Sequence, residues 1–419
     1  MRPIPLIRAA VATVAALTLS FSALAADPTA LGFDAQRLKR LDRVIETEIE
    51  AGRLAGAVML VKRDGQDAVF KAYGPQDIEN GVAMKTDTIF RIASMSKAVT
   101  TVAALMLYEE GHFLLNDPVA KFIPEFSRSV VAVPPPPGSP SDVKYVTVPA
   151  KRQITIRDLL THTAGLTYGD FLAIDDYKKA NLYGWYLMHR DETIGDAVKR
   201  LATLPLANQP GEAFDYGYGT DVLGYLVEVI SGQTLDQFFA ERIFGPLGMK
   251  DTGFYLPPEK ADRLAVVYGY EDGKLVRKED SKRTDFINGP RKLFSGGAGL
   301  YSTAGDYGRF LQMLLNGGEL DGVRLLSPRT VALAHENHTG NLFKWDTQSF
   351  GLGFWVNDHP GRYGELVGEG AYGWGSAYFP QYLVDPKERM VAVFMTQLTP
   401  TGGNNLNQRF KVTLYQALK

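Results

Sequence analysis

Strand-like segments lie near both ends of the chain and helical periodicity fills most of what lies between, a pattern that suggests one sheet assembled from segments distant in sequence. Near the N-terminus, residues 57–65 read as a strand running into a turn and residues 68–73 as its return, a hairpin. Near the C-terminus, short strands are predicted around 351–356, 373–378, 382–384 and 390–396. An amphipathic helix is expected over 35–53 from Leu38, Leu41, Val44, Ile45 and Ile49. Residues 89–110 read as a long, largely apolar helix that Ser94 can cap and Gly111 ends, and a helix apolar on most faces must be buried. Further helices are expected at 305–315, 328–336 and 404–418. Residues 131–149 contain Pro134 to Pro137, Gly138 and Pro140, and read as an extended connection crossing between sub-domains. From 154 to 251 helical signals dominate. The expected organisation is an α/β domain from residues 26–130 and 295–419, with a mainly helical domain at 131–294.

Which chemistry such a chain can perform is narrowed by composition. There is no cysteine, so thiolate nucleophiles, disulfides and thiolate metal sites are all excluded. Any nucleophile must be oxygen or nitrogen. Against 45 Lys and Arg stand 47 Asp and Glu, a net charge of -2, so the basic excess that a phosphate-tracking surface requires is missing and nucleic acid is not an expected partner. At the N-terminus Arg2 and Arg8 precede an uncharged run over 9–26 that contains Ala23-Leu24-Ala25, just before Asp27. This reads as a secretory signal peptide occupying residues 1–25. A membrane anchor is the alternative, but the run is alanine-rich, at the short limit for a span, and lacks a stop-transfer flank. A periplasmic or secreted protein with no anchor after cleavage is expected.

Ser94-Met95-Ser96-Lys97 carries the first candidate chemistry. A serine at a helix N-terminus sits beside unpaired backbone N–H groups, which favour negative charge developing on its oxygen or on a nearby acyl oxyanion. A lysine three residues on lies on the same face and can activate the hydroxyl. The pattern is not specific: Ser141-Asp142-Val143-Lys144 repeats it with no helix behind it, and Ser94 and Lys97 taken alone read equally well as a cap and a snorkelling side chain.

Other segments follow in order: 154–166 (Ile-Thr-Ile-Arg-Asp-Leu-Leu-Thr-His-Thr-Ala-Gly-Leu), 210–224 beginning Pro210-Gly211-Glu212, and 297–303 (Gly-Ala-Gly-Leu-Tyr-Ser-Thr). With Ser94 and Lys97 these resemble the serine beta-lactamase and penicillin-binding-protein superfamily from about residue 33 to the C-terminus. The 210–224 segment is most similar to the family VIII carboxylesterases, relatives of class C beta-lactamases. The resemblance implies a beta-lactamase/DD-peptidase-like α/β fold, an antiparallel sheet flanked by helices and built from both chain ends, plus an all-helical lobe. It also implies that Tyr216 works with Lys97 in moving the proton from Ser94 to the leaving group, with no metal and no cofactor. An adjacent ammonium stabilises an ionised phenol, so the pairing is electrostatically sound. Tyr218 stands where beta-lactamases place an asparagine.

For the third family motif two segments compete. His338-Thr339-Gly340 matches a variant of Lys-Thr-Gly, but it follows a helical stretch and reads as helix end and loop. Trp374-Gly375-Ser376 resembles the esterase version, and reads as the first arm of a hairpin, an exposed-edge strand whose second arm is 381–386. With this choice the backbone N–H groups of Ser94 and Ala377 form the oxyanion hole, and Tyr218, Trp374, Gly375 and Ser376 contact substrate. Tyr168 and Tyr378 are further candidates for the pocket wall, each equally able to be ordinary packing. Losing the motif lysine matters, because beta-lactams and peptidoglycan stems carry a carboxylate that a cation there would bind; Trp374 offers an apolar face, which suits a neutral ester. His162 is expected to fix the 161–165 loop by hydrogen bonds, and none of the six histidines has metal-site spacing. No Gly-x-Ser-x-Gly elbow or Gly-rich phosphate loop is present. The expected activity is a serine hydrolase acting on a small-molecule carboxylic ester; a class C type beta-lactamase or D-alanyl-D-alanine carboxypeptidase is the alternative, and acyl transfer to an alcohol would use the same residues.

Overall fold

In the computed structural model, Asp34 accepts hydrogen bonds from the backbone N–H groups of Gln36 and Arg37 at 2.9 and 3.0 Å and so opens helix α1 (Ala35–Glu50). Residues 26–279, 284–343, 348–361 and 364–419 are described; the expected signal peptide at 1–25 lies outside them. The hairpin β1 (Ala57–Arg63) and β2 (Gln66–Tyr73) follows as the sequence predicts. Next comes the buried helix α2 (Ser96–Glu109), whose residues from Ser96 to Leu107 are all out of solvent. It is shorter than expected at its start, because Phe90–Arg91 pairs antiparallel with Tyr301–Ser302, and Ser94 lies in a 3₁₀ turn ahead of the helix. Ser94 is therefore not the helix cap.

Later come α3 (Gly219–Ser231), packed on α2, and α4 (Ala304–Leu315), packed on the sheet. Strands β3 (Ser349–Phe350), β4 (Trp355–Val356), β5 (Tyr372–Gly375), β6 (Gln381–Asp385) and β7 (Met390–Met395) then complete the sheet, and α5 (Leu406–Tyr415) packs against α1. The strand order is β3-β4-β5-β6-β7-β1-β2, antiparallel throughout. The fold is α/β, and the chain ends meet where β1 pairs with β7, Val58 opposite Met395 through Arg63 opposite Met390.

Both central strands are buried on both faces, which is why they read as nearly unbroken apolar runs. Val58 and Leu60 of β1 join Val391, Val393 and Met395 of β7 in the core shared with α2 and α4; Met59 and Val61 join Ala392 and Phe394 in the core beneath α1 and α5. Two features of the middle segment depart from expectation. Val130–Val133 pairs with Val146–Pro149, so the proline run is the loop of a hairpin, in which its missing N–H groups interrupt no ladder, rather than a crossing between sub-domains. A second hairpin, Val267–Glu271 with Lys274–Glu279, also lies within the stretch expected to be mainly helical. Strand β5 is not at the sheet edge either: it lies between β4 and β6, though β4 accompanies it only as far as Gly373. Among the described residues no helix is long and apolar enough to cross a membrane.

Candidate active site

Immediately before Ser94 the backbone of Ala93 turns with φ of 36°, a conformation that costs an alanine energy and persists only where its surroundings impose it. Ala93 is fully buried with Ala298 and Tyr378, and Ala377 packs against the same cluster. That packing sets the Ser94 turn beside the chain leaving β5. Ser94 and Ala377 both line a cavity of about 370 Å³.

Lys97 is one helical turn beyond Ser94 and is almost wholly buried. Its Nζ is 3.5 Å from Ser94 Oγ, donates to the Gly297 carbonyl at 2.8 Å, and lies 4.6 Å from the ring centroid of Tyr216 and 5.2 Å from that of Tyr168. Tyr216 precedes α3 on a loop that rests on residues 166–168, with Tyr168 N–H donating to the Tyr216 carbonyl at 3.2 Å. A Cβ at Gly217 would fall 2.1 Å from the Leu166 carbonyl oxygen, so only glycine permits this approach. Two further contacts hold the phenol. Trp374 Nε1 donates to Tyr216 Oη at 3.1 Å, and the His162 ring packs at 4.8 Å between centroids. The structure thus brings together Ser94, Lys97, Tyr216, Trp374, Gly375, Ser376 and Ala377 from three separate parts of the chain.

Other expectations are redirected. Tyr218 is 1% exposed and donates its phenol hydrogen to the Gly184 carbonyl at 2.7 Å, so it does not reach the cavity; Tyr168, whose ring is 4.6 Å from it, stands in the wall instead. Tyr378 is likewise buried behind the wall, beneath Ala93. His162 fixes its loop through the backbone, its carbonyl accepting from Asp215 N–H at 2.7 Å, while the ring acts by packing on Tyr216, Phe214 and Phe350. Burial, and then the Lys97 charge, hold that imidazole well below the usual histidine range, so it is neutral. His338 follows the helix Pro328–Ala334 and lies against Arg157, outside the cavity wall. In the second Ser-x-x-Lys, Lys144 pairs with Asp175 and Ser141 is exposed.

Sequence reading missed much of the wall. Trp185, Phe343 and Trp355 make it strongly aromatic, and each comes from a different loop or strand with no local pattern to mark it. Lys411 of α5 also reaches the wall, where it forms an ion pair with Glu365 and lies 5.7 Å from the Trp355 ring centroid.

Residues 41–416 match the protein family described as Beta-lactamase. Protein Rv1367c of Mycobacterium tuberculosis is 37% identical over 367 residues, covering 84% of this chain and 88% of that one. Esterase EstB of Burkholderia gladioli is 31% identical over 425 residues, covering 95% of this chain and 99% of its own. Among solved structures, EstCE1, a hydrolase with promiscuous acyltransferase activity, superposes with a TM-score of 0.78 at 27% identity, over 91% of this chain and 99% of that one. A match over nearly the whole chain, on a fold that gathers Ser94, Lys97 and Tyr216 side by side, has one meaning: the chain belongs to the beta-lactamase family, in the superfamily of serine beta-lactamases and penicillin-binding proteins.

Proposed function

We propose that the protein is a serine hydrolase that cleaves carboxylic esters through an acyl-enzyme on Ser94. The observation that carries this reading is the Tyr216 hydroxyl, which accepts a hydrogen bond from Trp374 and shares the neighbourhood of Ser94 with the buried Lys97. Ser94 Oγ attacks the ester carbonyl carbon and its proton passes to Tyr216 Oη, whose negative charge the Lys97 ammonium and the Trp374 N–H stabilise. The backbone N–H groups of Ser94 and Ala377 receive the oxyanion, each such donor being worth about 3 kcal/mol in the transition state. As the carbon–oxygen bond of the tetrahedral intermediate breaks, Tyr216 returns the proton to the departing alkoxide. Water, deprotonated by the same phenolate, then releases the acid and restores Ser94.

A neutral ester fits this cavity. The side chain at the third-motif position is Trp374, and Lys411 in the wall is already paired with Glu365, so neither offers an uncompensated cation to a substrate carboxylate. EstB and EstCE1, by their names an esterase and a hydrolase, support the same class. Export belongs to this reading too, supported by Arg2, Arg8 and the uncharged run that follows them.

The deciding experiment sets nitrophenyl acetate and butyrate against a chromogenic cephalosporin. We expect kcat/KM for the esters to exceed that for the cephalosporin by about a hundredfold or more; comparable values would make the protein a beta-lactamase instead. Trp374→Phe keeps an aromatic wall but removes the N–H that faces Tyr216, a hydrogen bond to a charged oxygen worth about 1.5–3 kcal/mol. Its kcat on nitrophenyl butyrate should fall about tenfold or more with KM little changed, whereas an apolar contact alone would raise KM and spare kcat.

A further inference from the structure

Asp221 lies in the first turn of α3, five residues after Tyr216, and only 1% of it is exposed. Among the described residues no lysine or arginine forms an ion pair with it, and a buried carboxylate in that position must be stabilised by other means. Three neutral donors converge on it. Ser295 Oγ and the Gly297 N–H donate to Oδ1 at 2.6 and 3.0 Å, and Tyr168 Oη donates to Oδ2 at 2.9 Å.

These donors lead to Lys97 along two routes. In the first, Ala298 N–H donates to Ser295 Oγ at 3.1 Å, and the carbonyl of the same peptide unit, Gly297 O, accepts from Lys97 Nζ at 2.8 Å. A chain of three hydrogen bonds therefore runs from ammonium through peptide and hydroxyl to carboxylate with every dipole in the same sense, the arrangement in which each bond polarises the next. In the second, the Tyr168 ring that turns toward Lys97 is anchored by its hydroxyl to Asp221. The approach is tight: a Cβ at Gly297 would lie 2.6 Å from both Asp221 Oδ2 and Tyr168 Oη, which explains a glycine there.

We propose that Asp221 is a positioning residue that holds the Lys97 side chain as an ammonium beside Ser94 and Tyr216, acting through Ser295, the Gly297–Ala298 peptide and Tyr168. This rests on the reading of Ser94 as nucleophile. The titratable groups facing Lys97 are Tyr216, Tyr168 and His162, with Asp221 one hydrogen-bond layer behind; those facing Asp221 are Tyr168 and Tyr218. Burial foremost, then the Asp221 charge, push the Tyr168 phenol well above the ordinary tyrosine range, so it stays a donor. His162 is neutral. Asp221 is thus the group whose charge can hold the lysine proton while Tyr216 exchanges its own.

The test measures the rate at which a fluorophosphonate labels Ser94, together with kcat/KM on nitrophenyl butyrate, across neutral and alkaline pH, with thermal unfolding alongside. Asp221→Asn keeps the shape and most of the hydrogen bonds but removes the charge. It should slow labelling about tenfold or more at neutral pH and move the alkaline limb of both profiles about one pH unit lower, because the ammonium then loses its proton earlier. Ser295→Ala breaks one link and keeps the charge, so its limb should move the same way by less; should Asp221→Asn not fold, that shift alone decides. A variant that is slower at every pH with its alkaline limb unmoved would mark Asp221 as merely structural and overturn the proposal. A wild-type protein that the probe does not label would instead remove Ser94 as nucleophile, and this assignment with it.

Discussion

Ser94→Ala is expected to lose ester turnover by about 10⁴-fold or more while the protein stays folded. On the proposed mechanism the acyl-enzyme forms on that hydroxyl oxygen, and without it only cavity binding and the oxyanion donors would remain; such residues act as a unit, so loss of the nucleophile would remove nearly all of the rate. The fold should scarcely register the change. Among the described residues the Ser94 hydroxyl makes only a long hydrogen bond, 3.5 Å from Lys97 Nζ, and the strained turn at Ala93 is imposed by the packing of Ala93 with Ala298 and Tyr378 rather than by the serine side chain. Burst kinetics with nitrophenyl butyrate, labelling by a fluorophosphonate and a thermal melt check the three parts. Turnover within about tenfold of wild type, after the preparation is shown free of a contaminating esterase, would end the acyl-enzyme mechanism.

Tyr216→Phe should lower kcat by about 10²–10⁴-fold and leave KM close to its original value, the range that loss of a general acid–base group produces. The substitution keeps the ring that packs on His162 at 4.8 Å and on Trp374 at 5.4 Å, so the loop before α3 stays in place and the oxygen alone is lost. Tyr218→Phe is the matched control. It also loses one phenol oxygen, but that oxygen serves the Gly184 carbonyl, so the variant should cost about 1 kcal/mol of stability and keep its kcat. If the two variants lost equal amounts of kcat, Tyr216 would not be the proton carrier.

These two tyrosines show where sequence reading stops. They are two residues apart in one motif and look alike in one dimension. Tyr216 remains in the loop against Trp374, a residue 158 positions away, whereas Tyr218 enters α3 with its side chain turned inward to Gly184. Nothing within the segment encodes that difference. Asp221 is a similar case: in sequence it is an unremarked acidic residue in a helix, and its importance arises from Ser295, Gly297 and Tyr168, all brought to it by the fold. The proline run misled for the opposite reason. Its composition reads correctly as a segment without regular structure, but the valines on either side pair with each other, a contact that their own sequence does not declare.

What the sequence determined by itself was whatever depends on local periodicity or on residue type. The runs around Val58 and Val391 are strands because alternate residues must enter two different cores. Ser94 and Lys97 share a face because one helical turn separates them, and the absence of cysteine confines any nucleophile to oxygen or nitrogen. Tertiary structure decided which phenol stands beside Ser94 and Lys97, which aromatic rings wall the cavity, and which carboxylate lies behind the lysine. Those are contacts between segments far apart in the chain, and their energies depend on distances and on exclusion of water that exist only once the sheet has closed around β1 and β7.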